Sequence, residues 1–366
     1  MKTAIRRVLA LLPVLCFPAA VLAQAGAEPA RSLEFNGRSV FNMHFDTALQ
    51  KAEFSSYLLD DETHSLNFNP RDTRLGFTAR SEDGDWKLRA VFEMDFYGSN
   101  AGSNLLPRLR LGFAEAASGS LSLRGGQDWI PVAQQMPGCI DFGVLSWSGN
   151  LWARVPQFTV RGTQGRIEWL ASVMKNRVAT AQEQQEVMPW LLARVALPDL
   201  SGSGSLLALG GGYRSVDIDS SSYAPWLVAL EFRQPVGGLP LLLNGEVYAA
   251  DGIGNEFVHN GLDYNPAHAD GATAIGTVGG FVNLEWKTGE KTRIHLGYGF
   301  DDPEDGDLEG LATAAYLQNS VAYACLKVNL TKHLGWGLET LHYRTDTGAA
   351  DPLQGERLTT SWWYQF

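Results

Sequence analysis

Apolar and polar residues alternate over many segments of this 366-residue chain. Successive side chains of a β-strand point to opposite faces, so a period of two predicts a strand with one apolar and one polar face. We count sixteen such segments, from 33–46 to 358–366. The clearest is 86–97, in which one face carries Trp86, Leu88, Ala90, Phe92, Met94 and Phe96 and the other Lys87, Arg89, Val91, Glu93, Asp95 and Tyr97.

The connections between these segments alternate strictly in length, with seven short turns and eight longer stretches. A transmembrane barrel has this asymmetry, with short periplasmic turns and longer external loops. When the sheet closes into a barrel, every strand edge is also hydrogen-bonded to a neighbouring strand, as the hydrocarbon of a membrane requires. A soluble sandwich or propeller gives no reason for every long connection to lie on one side. The sequence therefore predicts an all-β fold, a transmembrane antiparallel β-barrel of about 16 strands.

The beginning of the chain has the pattern of a secretory signal peptide. Lys2, Arg6 and Arg7 precede the apolar run 8–22, and we predict cleavage after Ala23. Residues 1–23 are then the signal peptide and 24–366 a single transmembrane domain. The exported chain would keep 26 basic and 40 acidic residues, a formal net charge of −14, which argues against nucleic acid as a partner.

One long connection, 128–153, is too apolar for a disordered tether, with Trp129, Phe142, Trp147 and Trp152 among its residues. It has neither strand nor helix periodicity, and unstructured loops of this length are uncommon unless they are functional. The lumen of a sixteen-stranded barrel is too wide for the wall side chains to fill. We therefore predict that this connection, the third long loop, folds into the lumen and narrows it.

Several motifs between residues 70 and 165 carry a family resemblance: Arg74-Leu75-Gly76-Phe77, 92–98 (FEMDFYG), 126–129 (GQDW), Asp141-Phe142 and 154–157 (RVPQ). With them, the chain resembles the bacterial outer-membrane porins of the sixteen-stranded trimeric type, most nearly the DcaP-like porins. The resemblance implies a homotrimer in the bacterial outer membrane that passes small anionic solutes, dicarboxylates among them. The final Phe366 resembles the terminal aromatic residue that the barrel-assembly machinery reads in such proteins.

If the apolar faces contact lipid, the lumen-facing set on the first five strands is rich in arginine. The guanidinium group of arginine is planar and permanently charged, which suits the binding of carboxylates. Rings of basic residues are also common in anion pores. The alternative is that these arginines pair with acids and simply line a wet pore. Asp141, on the loop, either supplies the negative side of a transverse field or anchors the loop. The candidate channel residues are Arg38, Arg74, Arg89, Arg108, Arg110, Arg124 and Asp141.

These residues favour a passive diffusion channel for small hydrophilic solutes with a preference for anions, with a general or sugar-selective porin as the main alternative. A barrel adhesin and an outer-membrane enzyme are minor ones. The strand faces show no GxSxG motif and no grouped Ser, His and Asp, so we expect no enzyme, and no cofactor or metal ligand set is predicted. Tryptophans near strand ends suit the membrane interface: Trp86, Trp190, Trp226, Trp286, Trp336 and Trp362.

Two further questions stay open at the level of sequence. Cys139 on the loop and Cys325 on a strand would pair only if the loop lies over that strand. The acidic connections 60–62 and 301–310 are typical of solvated faces, but divalent cations bridging them to lipopolysaccharide are the alternative. Outer-membrane lipid and lipopolysaccharide are the other partners that a barrel in this membrane implies.

Overall fold

The structure, a computed structural model, describes residues 31–54, 56–98, 105–143, 145–177, 188–200, 204–218, 221–258, 263–271, 273–311 and 316–366. These residues belong to one unit, Arg31–Phe366. The predicted signal peptide, residues 1–23, lies outside the described part and stays a prediction.

Sixteen strands, numbered β1 to β16 along the chain, form the main sheet, and β2 consists of two segments separated by residues 70–73. They are β1 Arg31–Asp46, β2 Ser65–Asn69 and Arg74–Asp83, β3 Trp86–Asp95, β4 Arg108–Ser118, β5 Leu121–Trp129, β6 Arg154–Gln164, β7 Ile167–Met174, β8 Trp190–Pro198, β9 Leu206–Tyr213, β10 Trp226–Pro235, β11 Leu241–Asp251, β12 Gly276–Lys287, β13 Thr292–Pro303, β14 Gln318–Asn329, β15 Leu334–Asp346 and β16 Leu353–Gln365.

Each strand pairs antiparallel with its neighbours in the sequence, and β1 also pairs with β16, so the sheet closes on itself. The closing register runs from Arg38 opposite Gln365 to Asp46 opposite Arg357. Beyond it, the N–H of Phe366 donates to the carbonyl of Gly37, and the N–H of Gly37 to the carbonyl of Phe366, both at 3.1 Å. The predicted antiparallel barrel of sixteen strands is confirmed.

The two faces of the wall differ as the alternation predicts. On β9, Leu207 and Leu209 are exposed while Ala208 between them is buried, and the same period of two continues along β10. In a closed barrel the exposed apolar face is the outer one. The outer surface is therefore a broad apolar band, which is the surface that a barrel presents to lipid.

The connections lie at the two ends of the barrel in alternation, as sequential antiparallel strands require. Every long-side connection is longer than the turns on either side of it, as predicted, and the difference is smallest at the end of the chain, where 347–352 follows the turn 330–333. Three long connections carry small strand pairs of their own: Leu49–Gln50 with Leu58–Asp60, Val216–Ile218 with Ser221–Tyr223, and Tyr264–Asn265 with Thr273–Ala274. Two carry single helical turns, Gly254–Val258 and Asp305–Leu308. Within the described residues, no helix has the length and apolar character needed to cross a membrane.

The long connection 130–153, between β5 and β6, packs against the inner face of the wall. Its residues Ile130, Val132 and Leu151 share one buried apolar cluster with Trp190 of β8 and Leu227 of β10. Its backbone is also bound there, because the N–H groups of Gln134 and Leu151 donate to the carboxylates of Glu231 and Glu246 at 2.8 and 2.7 Å. We call this connection the inner loop.

This packing corrects one prediction, that Trp190 lies at the membrane interface. The side chain is completely buried, and its ring meets that of Phe257 with the centroids 5.2 Å apart. Trp190 belongs to the same face of β8 as Arg194, which is the inner face. Both faces of this strand are apolar, because its inner face contacts the inner loop. The alternation therefore does not reveal which of the two faces is the inner one.

Candidate functional site

A cleft of about 270 Å³ lies between the inner loop and the wall. Arg38, Arg74, Arg110 and Arg154 line it from the wall strands β1, β2, β4 and β6, and Lys327 from β14. The loop contributes apolar and aromatic side chains together with one carboxylate: Met136, Cys139, Ile140, Asp141, Phe142 and Trp152. Four of the seven residues predicted from the sequence therefore meet at this cleft: Arg38, Arg74, Arg110 and Asp141.

Three of these arginines already have carboxylate partners. Arg38 and Arg74 share Asp72, at 2.5 and 2.9 Å, so one carboxylate serves two guanidinium groups. Asp72 was not among the predicted residues, because it lies in the short irregular break of β2. The pair of arginines keeps a net positive charge after this sharing.

The third, Arg110, is buried and bonds to Glu93 at 2.5 Å and to Asp95 at 2.8 Å. Asp95 also accepts from Arg108, at 2.8 Å, and is itself fully buried. The same face of β3 supplies both acids, which the alternation predicts. Arg108 does not line the cleft, and its guanidinium is bound to Asp95.

The remaining two predicted arginines, Arg89 and Arg124, share one carboxylate partner, Glu115. In the strand register Glu115 stands opposite Arg89 on one side and Arg124 on the other, and it accepts from them at 2.5 and 3.0 Å. Arg124 also bonds to Asp128. Neither arginine lines the cleft. For these side chains the arrangement is the ion-paired alternative that the sequence left open.

Arg154, at the beginning of β6, is the residue that the sequence reasoning missed. It forms no ion pair within the described part of the chain, and its buried Nη1 has no hydrogen-bond partner. Its guanidinium instead lies over three aromatic rings, with centroid distances of 4.8 Å to Trp129, 5.2 Å to Trp152 and 5.9 Å to Phe142. Cation–π contacts of this kind contribute about 0.5 to 2 kcal/mol each. They do not use the N–H donors along the edges of the guanidinium group.

Lys327 is a second cation without a carboxylate partner among the described residues. Its Nζ donates to the carbonyl oxygen of Cys139 at 3.0 Å. The cleft lining therefore contains five cationic side chains and two carboxylates, those of Asp72 and Asp141. A small anion entering the cleft meets an excess of positive charge in a partly water-excluded space, where Coulomb attraction is stronger than in bulk water.

Asp141 does not stand free opposite the arginine wall. It is 1% exposed and accepts from Arg357 of β16 at 2.7 Å, and Arg357 also binds Asp46 at 2.6 Å. The N–H groups of Ile140 and Asp141 donate to the two carboxylate oxygens of Glu339, at 2.5 and 2.9 Å. These contacts match the anchoring alternative for Asp141.

In the acidic connection 301–310, Glu304, Asp305 and Glu309 are exposed, as expected for a solvated face, but Asp301 is not. Asp301 belongs to β13, is completely buried, and accepts from the hydroxyls of Tyr248, Thr277 and Tyr316 at 2.6, 2.9 and 2.8 Å. Within the described ranges, no group of three His, Cys, Asp or Glu side chains is placed to hold a metal ion.

Comparison with solved structures relates this geometry to known barrels. The outer membrane channel DcaP of Acinetobacter baumannii superposes with a TM-score of 0.80 at 20% identity, over 94% of this chain and 99% of that one. This is the fold of the sixteen-stranded porins. An anion-selective porin from Comamonas acidovorans follows with a TM-score of 0.65 at 14% identity, over 92% and 100% of the two chains. OmpF of Salmonella typhi gives 0.61 at 10% identity, over 91% and 97%.

No family model and no curated protein sequence matches the chain. The identity to the solved porins is low, so the likeness establishes the porin fold and leaves the solute to be argued from the residues. Arg154 belongs to the RVPQ motif that carried the sequence resemblance. The signal that would have singled it out is its position, two residues after Trp152 at the exit of an aromatic-rich loop.

Proposed function

We propose that this protein is an outer-membrane porin, a passive diffusion channel with a preference for small anions such as dicarboxylates. The cleft between the inner loop and the arginine wall is its narrow, selective region. The observation that carries the proposal is the guanidinium of Arg154, which lines the cleft and has no carboxylate partner among the residues that the structure describes.

The physical argument starts from the cost of an unpaired buried charge. A guanidinium removed from water without a counter-charge is unfavourable, and a passing carboxylate supplies that charge together with two acceptor oxygens. Arg74 and Arg110 line the same cleft but already use part of their donors on Asp72, Glu93 and Asp95. Arg154 and Lys327 are therefore the cations that gain most from an entering anion.

Dicarboxylates suit this site because the positive groups surround the cleft. One carboxylate of the solute can pair with Arg154 while the other stays near Arg38, Arg74 or Lys327. A sugar-selective channel is the rival, since aromatic faces stack on sugar rings. Three of the rings near the cleft are already covered by Arg154, which favours the anion.

The same proposal includes location and assembly. The apolar outer band and the predicted signal peptide favour the bacterial outer membrane, and the porin fold favours a homotrimer there. Lipid and lipopolysaccharide then surround the barrel, and the terminal Phe366 is the feature that the assembly machinery would read.

Reversal potentials across a planar bilayer test the solute preference. With the purified protein and a gradient of sodium succinate, we expect an anion-selective potential at low salt and faster permeation of succinate than of maltose. Cation selectivity, or equal rates for the two solutes, would replace the anion channel with a general or sugar-selective porin.

A further inference from the structure

Two cysteines are buried on opposite sides of the contact between the inner loop and β14. Cys139 belongs to the loop and Cys325 to the inner face of the strand, and both are free thiols in one apolar cluster. The path of the loop decides whether they meet, and four contacts of neighbouring residues define that path.

Two of these contacts come from β14 itself. On the inner face of this strand, Tyr323 precedes Cys325 by two residues and Lys327 follows it by two, so both point to the same side as the cysteine. The hydroxyl of Tyr323 accepts from the N–H of Gly138 at 3.1 Å, and Lys327 Nζ donates to the carbonyl of Cys139 at 3.0 Å. The backbone on either side of Cys139 is thereby held by the residues on either side of Cys325.

The other two contacts come from the strands beside β14. Cys325 stands opposite His295 of β13 and opposite Glu339 of β15 in the sheet register. Gly138 lies directly on the His295 ring, since a Cβ built at Gly138 would be 2.0 Å from Nδ1. Ile140, on the other side of Cys139, donates its N–H to Glu339 at 2.5 Å and also faces the Cys325 thiol.

These contacts therefore place Cys139 over Cys325, both along the strand and across the neighbouring strands. Along β14 it lies between Tyr323 and Lys327, and across the strands it lies between His295 and Glu339. We propose that Cys139 and Cys325 form a disulfide in the exported protein, which fixes the inner loop covalently to the wall beside the cleft. This inference rests on the proposed outer-membrane location, because it needs passage through the oxidising periplasm.

The bond requires an acceptor, which is the disulfide of a periplasmic thiol–disulfide oxidoreductase. The thiolate of one cysteine attacks that disulfide, forms a mixed disulfide and releases one acceptor thiolate. The thiolate of the other cysteine then attacks the mixed disulfide, forms the Cys139–Cys325 bond and releases the second acceptor thiolate. The two thiol protons pass to the acceptor, which is reduced to a dithiol as the protein loses two electrons.

This exchange belongs to the stage before the loop is packed. Burial raises the pKa of the Cys139 thiol well above its usual value, so at neutral pH the packed loop holds the thiol in its protonated, unreactive form. The bond therefore forms on the unfolded or partly assembled chain. Once formed, it is shielded from reductants that cannot enter the barrel.

Thiol counting on the protein from outer membranes tests the proposal. The barrel is denatured in SDS with N-ethylmaleimide, with and without prior reduction, and weighed by mass spectrometry. We expect no alkylated cysteine without reduction and two after it, with a cross-linked peptide that joins Cys139 and Cys325. In the matched variant C139S, Cys325 should be alkylated under both conditions. Two alkylated cysteines in the unreduced wild-type protein would overturn the proposal.

A second arm separates this inference from the proposed location. The reduced, unfolded chain is refolded into detergent in the presence of oxidised glutathione, so that the oxidant is present before the loop packs. A Cys139–Cys325 cross-link in the refolded barrel supports the geometry even if the chain is not exported. If both cysteines of the refolded barrel remain free thiols or carry glutathione, the proposal is wrong, whatever the location of the protein.

Channel recording gives the functional readout of the tether. Reduction of the refolded, oxidised wild type should increase the frequency of brief current closures several-fold, because the loop then depends on its hydrogen bonds and ion pairs alone. The double variant C139S/C325S should show the higher frequency with or without reductant. Identical noise in the oxidised wild type and the double variant would show that no covalent tether restrains the loop.

Discussion

Arg357 and Asp141 join the last strand of the barrel to the inner loop through a fully buried ion pair of 2.7 Å. Arg357 also binds Asp46 of β1, at 2.6 Å, across the seam where the barrel closes. One guanidinium therefore holds the loop and supports the closure of the sheet.

Removal of this guanidinium should be among the most damaging changes to the stability of the barrel. Arg357→Met leaves Asp46 and Asp141 buried without their counter-charge, which costs about 3 to 5 kcal/mol in comparable cases. We expect a clear fall in the urea midpoint of the barrel in lipid vesicles. The control is Arg80→Met, which removes a largely exposed pair with Glu34 and should cost less than about 1 kcal/mol. Equal midpoints for the two variants would contradict the importance of the buried pair.

Replacement of Arg154 should weaken anion selectivity more than replacement of any ion-paired arginine. A hydrogen bond to a charged group contributes about 1.5 to 3 kcal/mol, so Arg154→Gln should reduce succinate permeation roughly tenfold at low salt. The matched control is Arg124→Gln, on the same wall but paired with Glu115 and Asp128. At 1 M salt, where the Debye length is about 3 Å, the difference should shrink. An equal effect from both variants would mean that the wall acts as a whole and Arg154 has no special role.

The register of β3 can be tested with neighbouring positions. Ala90 is on the exposed face, whereas Val91 stands opposite Thr78 and Phe113, which are both buried. An arginine at the middle of the lipid face costs about 2 to 4 kcal/mol, so Ala90→Arg should lower the yield of heat-modifiable barrel in outer membranes. Val91→Arg should assemble. Normal assembly of the first variant and failure of the second would show that the faces are inverted.

The last residue should matter for assembly more than for stability. The ring of Phe366 contacts those of Phe35 and Tyr364 on the outside, while its backbone pairs with Gly37. Phe366→Ala keeps the backbone pair and removes the ring, so we expect less assembled barrel in cells but unchanged refolding into detergent. A parallel loss in both experiments would mean that the ring contributes packing and is not a recognition signal.

The sixteen strands could be predicted because one face of most strands is apolar and the other is polar. That constraint repeats every two residues and needs no knowledge of the partner strand. The alternation does not identify the inner face where that face is also apolar, as at Trp190. The sequence predicts that the inner loop packs inside the barrel, but not which strands of the wall it contacts.

The candidate site was less predictable because it depends on register and on the path of the loop. That Glu115 stands between Arg89 and Arg124 follows from the hydrogen-bonded pairing of three strands, which no local pattern shows. Arg154 was missed for a related reason. Its position after Trp152 marks it in the sequence, but that it has no carboxylate partner among the described residues is visible only in the structure.

Three buried acids of the wall, Glu231, Glu246 and Glu339, accept N–H groups of the inner loop. If the loop were cut away, these carboxylates would lose their N–H donors and face a water-filled lumen, where their negative charge would oppose the entry of anions. Shortening the loop is therefore a poor route to a wider anion-selective nanopore from this scaffold. An engineer who wants a larger bore has to redesign those three glutamates together with the segment that they hold.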